Sequence, residues 1–218
     1  MLQTDLNLPY LYKEAQTSKK EKPRLLLLIH GFGSNEEDLF SFSTELPNDF
    51  FIVSVRAPHE IQYGGYAWYD INFIDLQKMN NLEQAKESIK LLRVFIQECI
   101  QKHDLNPDEV WLCGFSQGAI LSYTLALQDQ QNIRRVICMS GYPAPDILGN
   151  NIQKDFQNLE FFISHGIEDT VIPIRWGQKG KELLNDLKIP NTYKEYRSGH
   201  GVVPQNFFDL LAWIKERM

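Results

Sequence analysis

The chain has 218 residues, 43% of them apolar and 23% charged, which suits a soluble globular protein with one substantial core and excludes a disordered chain. The net charge is −6, and the Lys and Arg residues are scattered, adjacent only at Lys19-Lys20 and Arg134-Arg135, so no basic stripe is offered to nucleic acid. Three cysteines without C-x-x-C spacing, an N-terminus lacking the pattern of a signal peptide, and a longest aliphatic run of only Leu25 to Ile29 point to a cytoplasmic protein without integral membrane association.

Two kinds of segment alternate along the chain. LPYLYKEA (8–15) suits an antiparallel edge strand, and TSKKEKP (17–23) a solvated connection. RLLLLIH (24–30), FFIVSVRA (50–57), EVWLCGF (109–115), RRVICMS (134–140), LEFFISH (159–165) and TYKEYR (192–197) read as strands. Most are continuous apolar runs, as parallel strands covered on both faces require. Helices are expected over 82–100, where Leu82, Ala85, Ile89, Leu92, Ile96 and Cys99 make one apolar face, and over 119–127, 173–187 and 204–218. Such alternation implies right-handed crossovers, hence an α/β fold: a mainly parallel central sheet with helices on both faces, one domain over 1–218. In such a sheet ligands sit beyond the carboxyl ends of the strands, so a candidate functional residue should follow a strand.

Gly114-Phe115-Ser116-Gln117-Gly118 fits G-x-S-x-G between a strand and an apolar helix, the context of a nucleophile elbow. A serine nucleophile needs a base and an orienting acid, which on this kind of fold follow it in the order acid, then histidine. His200, between Gly199 and Gly201 after the last strand, is the candidate base. His165 is too close in sequence to the candidate acid to face it from another loop. That acid is Asp169, with Glu168 as its rival; Asp155 precedes a strand and Asp186 falls in a helix. Each also has a plainer reading: a turn serine, a loop histidine, an N-cap carboxylate. The oxyanion would be met by the backbone N–H of Gln117 and that of Phe32 in HGFGS (30–34). Ser34-Asn35-Glu36-Glu37 reads as a capping box, and His30 as loop packing rather than a second base.

The aromatic run YGGYAWYDINF (63–73) lies in a long connection without regular pattern. Tyr66, Trp68, Tyr69 and Phe73 would wall an apolar acyl pocket, form a lid, or simply cover the core; they equally admit a homodimer contact. No metal or cofactor motif occurs, and phosphate-cradling glycine patterns are missing.

HGFGSNEEDL, the RAP of 56–58, WYDI at 68–71, GFSQGA, HGIEDTVIP and GHGV occur in this order, and together they resemble the phospholipase/carboxylesterase family of α/β-hydrolases, which includes the acyl-protein thioesterases. The resemblance runs from Arg24 onward. It implies the α/β-hydrolase fold, a Ser116–Asp169–His200 triad and an oxyanion hole at Phe32 and Gln117. The chain differs from the family's common pattern at Phe32 (often Leu), Ala119 (often Gly) and Thr170 (often Pro). The expected activity is hydrolysis of small to medium acyl esters through an acyl-serine, with no cofactor. The alternatives are a thioesterase or lysophospholipase taking longer chains, and a non-catalytic binding module on the same fold.

Overall fold

The computed structural model describes residues 1–16, 21–62, 64–71, 80–128, 133–153 and 155–218. In chain order its elements are β1 (Tyr10–Lys13), β2 (Arg24–Ile29), α1 (Glu37–Phe40), β3 (Phe50–Val55), β4 (His59–Glu60), β5 (Tyr66–Ala67), α2 (Leu82–Lys102), β6 (Val110–Phe115), α3 (Gln117–Gln128), β7 (Ile133–Met139), α4 (Pro145–Leu148), β8 (Glu160–Gly166), α5 (Ile174–Asp186), β9 (Asn191–Tyr196) and α6 (Pro204–Lys215). The six expected parallel strands and four long helices lie within three residues of where apolar pattern and punctuation put them. The short α1 and α4 and the β4–β5 ribbon carry too few residues to show a period.

Seven strands form one sheet in the order β1-β3-β2-β6-β7-β8-β9. Only β1 runs antiparallel, on the edge beside β3. The run RLLLLI of β2 shows why the inner strands are apolar throughout. Leu25, Leu27 and Ile29 face a core closed by α2, α3 and α5, while Leu26 and Leu28 face a second core closed by Leu39 of α1 and by Leu210, Trp213 and Ile214 of α6. A strand with helices on both sides has no face left for polar residues. Helix α3 is buried from Gln117 to Leu127 and is correspondingly apolar almost all round. The three cysteines are free and buried; burial pushes the Cys99 and Cys113 thiols up to about 12.

Strand β2 lies between β3, its successor among the sheet strands, and β6, which begins the walk in the other direction. The order reverses there, and at such a point loops diverge to leave a crevice. Ile29 pairs with Gly114, so HGFGS and FSQG leave the sheet at the same level, side by side.

The expected capping box does not form. Ser34 Oγ donates to Asp38, Asn35 Oδ1 accepts the Glu37 N–H, and the first cap of α1 makes no side-chain bond. The two N–H groups a box would use are bonded elsewhere: that of Glu37 to Asn35 and that of Ser34 to the Gly31 carbonyl at 3.4 Å. Glu36, beside them, turns inward to Arg56, whose Nε donates to Oε2 at 2.6 Å while Nη2 pairs with Oε1.

Candidate active site

Ser116 stands between β6 and α3 with φ at 53°, in the left-handed region that costs an L-residue about 1–2 kcal/mol. Its N–H donates to Met139 O at 2.9 Å, and its carbonyl accepts the Ile120 N–H at 3.1 Å, so β7 and α3 hold the turn from both sides. The two glycines are there because nothing larger fits. A Cβ on Gly114 would run into the Gly118 carbonyl, and one on Gly118 into the carbonyls of Ile29 and His30.

Three residues from three loops meet at this turn. His200 Nε2 lies 2.9 Å from Ser116 Oγ, and His200 Nδ1 lies 2.7 Å from Asp169 Oδ2. An ionised carboxylate only accepts, so Nδ1 carries the proton, and Nε2 is left to accept from the serine hydroxyl. The other carboxylate oxygen, Asp169 Oδ1, accepts the N–H groups of Val171 at 2.9 Å and Ile172 at 2.8 Å. One carboxylate oxygen of Asp169 thus caps the turn while the other faces His200. The Glu168 backbone N–H donates to Ser198 O at 3.0 Å, which ties the acid loop to the loop carrying His200.

His165 meets Asp169 within one turn rather than from another loop. Its Nε2 lies 3.4 Å from Asp169 Oδ2, across the turn that follows β8, and donates to the Ile172 carbonyl at 2.8 Å. His30 is buried; Nδ1 donates to Gly31 O at 2.7 Å and Nε2 accepts the Ala57 N–H at 3.1 Å. Burial lowers its pKa, so it stays neutral and packs the loop.

The HGFGS loop passes directly over Ser116: a methyl on Gly31 would lie 3.2 Å from Ser116 Cβ. Gln117 opens α3, so its N–H has no carbonyl four residues back in the helix to bond. Beside these groups lies a cavity of about 200 Å³. Phe32, Tyr69 and Ile71 line one part of it, and Ile120, Tyr142, Ile172 and Trp176 much of the rest, with Ser116 and His200 opening onto it. Its walls are mainly apolar, interrupted by Asn80 and the tyrosine hydroxyls; burial pushes Tyr142 up to about 12 and Tyr69 well above its ordinary value, so both stay neutral.

Of the four aromatic residues expected to bind substrate, Tyr69 lines the cavity. Trp68 is fully buried behind it and presents no surface to a ligand. Tyr66 sits under the Arg56 guanidinium, 4.5 Å from its ring centroid, and its backbone bridges to Ser34. Phe73 lies outside the described residues. Tyr142 and Trp176, packed edge to face at 4.5 Å, come from segments that no motif or period singles out. A wider cleft of about 680 Å³, lined by charged residues such as Lys22, Arg24, Asp49 and Glu109, opens at the opposite, amino edge of the sheet, away from this chemistry. Among the described residues, no cluster of His, Cys, Asp or Glu is placed to hold a metal ion, and no helix is long and apolar enough to cross a membrane.

Comparison with known proteins agrees with the geometry. A solved esterase, PE8, superposes with a TM-score of 0.83 over 95% of this chain and 98% of its own, at 24% identity. A carboxylesterase from Mesorhizobium loti gives the same score over 99% and 98%, at 22% identity. Both share the α/β-hydrolase fold of this chain. Among curated proteins, a probable carboxylesterase SOBER1-like of Arabidopsis thaliana is 27% identical over 88% of this chain and 78% of its own. Acyl-protein thioesterase 1 of Debaryomyces hansenii is 31% identical over 70% and 69%. The family model described as Phospholipase/Carboxylesterase matches residues 12–218, and the chain belongs to that family.

Proposed function

We propose that the protein is a serine carboxylesterase that hydrolyses small to medium acyl esters through an acyl-serine intermediate. The observation that carries this reading is the continuous relay from Asp169 Oδ2 through His200 to Ser116 Oγ, with links of 2.7 and 2.9 Å. Both lie within the reach a general base needs. His200 Nε2 takes the hydroxyl proton as Ser116 Oγ attacks the acyl carbonyl, and Asp169 stabilises the imidazolium that forms. The N–H groups of Phe32 and Gln117 receive the oxyanion. His200 returns its proton to the departing alcohol, leaving the acyl-serine. Water, deprotonated by His200, then attacks that ester and releases the carboxylic acid and free Ser116. Apolar walls and a cavity of about 200 Å³ favour acyl groups of limited length. Three buried free thiols suit a reducing, cytoplasmic setting.

A thioesterase reading has one observation in its favour, the 31% identity to the Debaryomyces hansenii relative named acyl-protein thioesterase 1. A fluorophosphonate probe tests the shared chemistry: one probe mass on Ser116, absent from Ser116→Ala, is expected. No labelling, together with no burst from activated esters, overturns the enzyme reading in favour of a binding module. Rates on a chain-length series of nitrophenyl esters against matched acylthioesters then separate ester from thioester preference.

A further inference from the structure

Trp68 is fully buried and is not among the residues that line the cavity, yet it is bonded to both loops that border the nucleophile. Its indole N–H donates to the carbonyl of His30 at 2.9 Å, two residues before Phe32. Its backbone N–H donates to Gln117 Oε1 at 2.9 Å, and Gln117 Nε2 returns a bond to the Tyr69 carbonyl at 2.7 Å. The Trp68 carbonyl in turn accepts from Ser88 Oγ on α2. Both neighbouring segments are tied as well: Gly33 N–H donates to Tyr66 O at 2.9 Å and Tyr66 N–H to Ser34 O at 2.7 Å.

We propose that Trp68 is a positioning residue that sets the spacing and aim of the two oxyanion donors, Phe32 and Gln117, with the Gln117 side chain as its latch. Those donors come from different loops, after β2 and β6, and the strand register alone fixes the loops only where they leave the sheet, at Ile29 and Gly114. Beyond that level a side chain has to hold them. The indole N–H engages the peptide that leads into Gly31-Phe32. The backbone N–H and the Gln117 amide engage the first turn of α3, whose leading N–H is the second donor. Gly118 leaves the space between the two loops empty of side chain, so the His30 carbonyl reaches α3 closely and its indole partner becomes the spacer. Donors aimed at an oxyanion are effective only when fixed beforehand, because reorientation during the reaction forfeits their advantage.

The inference rests on the esterase reading for its kinetic consequence but not for its structural one. Trp68→Phe keeps the ring and the backbone N–H and removes the indole donor. Gln117→Met keeps the oxyanion N–H and the side-chain length and removes the latch, and it serves where Trp68→Phe does not fold. In each, kcat for a nitrophenyl butyrate is expected to fall about tenfold with KM within about twofold, a fraction of the roughly 10²–10³-fold loss for deleting a donor outright. Affinity for phenylboronic acid, which forms a tetrahedral adduct on the serine, is expected to fall in parallel. Hydrogen exchange at 30–34 and 116–118 is expected to quicken, with exchange in β7 and β8 unchanged. A rise in KM alone, or unchanged kcat, boronate affinity and exchange, overturns the proposal and leaves Trp68 as core packing. Should the unmodified protein show no turnover, the esterase reading fails, and the exchange measurement still decides the brace.

Discussion

Asp169→Asn tests the relay at its least exposed link. The substitution keeps Oδ1, which accepts from Val171 and Ile172, so the acid loop retains two of its anchors. It replaces Oδ2 by an amide NH₂ that can only donate, opposite His200 Nδ1 at 2.7 Å. To avoid two donors facing each other, the imidazole moves its proton to Nε2, which then points at Ser116 Oγ 2.9 Å away and cannot act as a base. Restoring the reactive tautomer against the new amide costs about 1–3 kcal/mol for an unsatisfied buried donor. Losing the carboxylate beside the imidazolium costs about 4 kcal/mol more for charges ~4 Å apart at an effective dielectric near 20. Allowing for overlap between the two, kcat should fall by about 10³–10⁴, or roughly 4–5.5 kcal/mol of barrier. The same exchange in a serine-protease triad costs about 10⁴. The assay is kcat and kcat/KM on a nitrophenyl ester, beside a thermal melt. The melt is expected within a few degrees of the unmodified protein, because Oδ1 still caps its turn. A loss smaller than tenfold in a folded variant refutes the assignment of Asp169 as the group that orients His200.

Three further outcomes follow from contacts elsewhere. Gly118→Ala places a methyl against the backbone carbonyls of Ile29 and His30, which cannot swing aside; melting should fall by the equivalent of about 1–3 kcal/mol, with turnover reduced in the folded fraction. Ile120→Trp fills much of the cavity of about 200 Å³, so nitrophenyl hexanoate should lose far more kcat/KM than nitrophenyl acetate; equal losses would place the acyl group elsewhere. Arg56→Ala strands Glu36, whose side chain is 4% exposed, at a cost of about 3 kcal/mol at pH 7 by denaturant melt. The pH dependence should also reverse in sign. In the unmodified protein burial raises the Glu36 pKa but the Arg56 bonds outweigh it, leaving it below 4.5. Its stabilisation is therefore present above about pH 4.5 and lost as pH falls through the lower folded value. Without Arg56, burial is the largest remaining influence and raises that pKa, and acidification should recover stability.

The frame of the fold was legible because it depends on local signals. Continuous apolar strands, a 3.6-residue period over 82–100, and Pro204 at a helix start each report their element from a few neighbouring residues. Ser116, Asp169 and His200 could be singled out for a related reason. Each follows a strand, and the sheet order brings strand ends together whatever lies between them. The cavity lining was less accessible. Tyr142 and Trp176 lie 34 residues apart, and nothing in GYPAP or IRWGQ shows that they meet edge to face; that follows only from how α5 packs against the loop after β7. The capping box misled in another way: Glu37 stands three residues after Ser34, as a box needs, but Asn35 accepts its N–H and the Ser34 hydroxyl turns to Asp38.

The aromatic segment marks the limit most sharply. YAWYD (66–70) has no period, and its rings suggest a wall for substrate, yet they divide into three roles. Tyr69 faces the cavity, Tyr66 stacks on a guanidinium, and Trp68 ties together the loops that border the serine. What separates them is which hydrogen-bonding groups each one meets, and those groups belong to His30, Arg56 and Gln117, distant in sequence. A tryptophan differs from its aromatic neighbours in carrying a single N–H that must find an acceptor when buried. The acceptor here is the His30 carbonyl, which opens the loop over Ser116. A ring that would have been read as a contact with the acyl chain is therefore better understood through the hydrogen it donates, and its substitution should be felt in kcat before it is felt in KM.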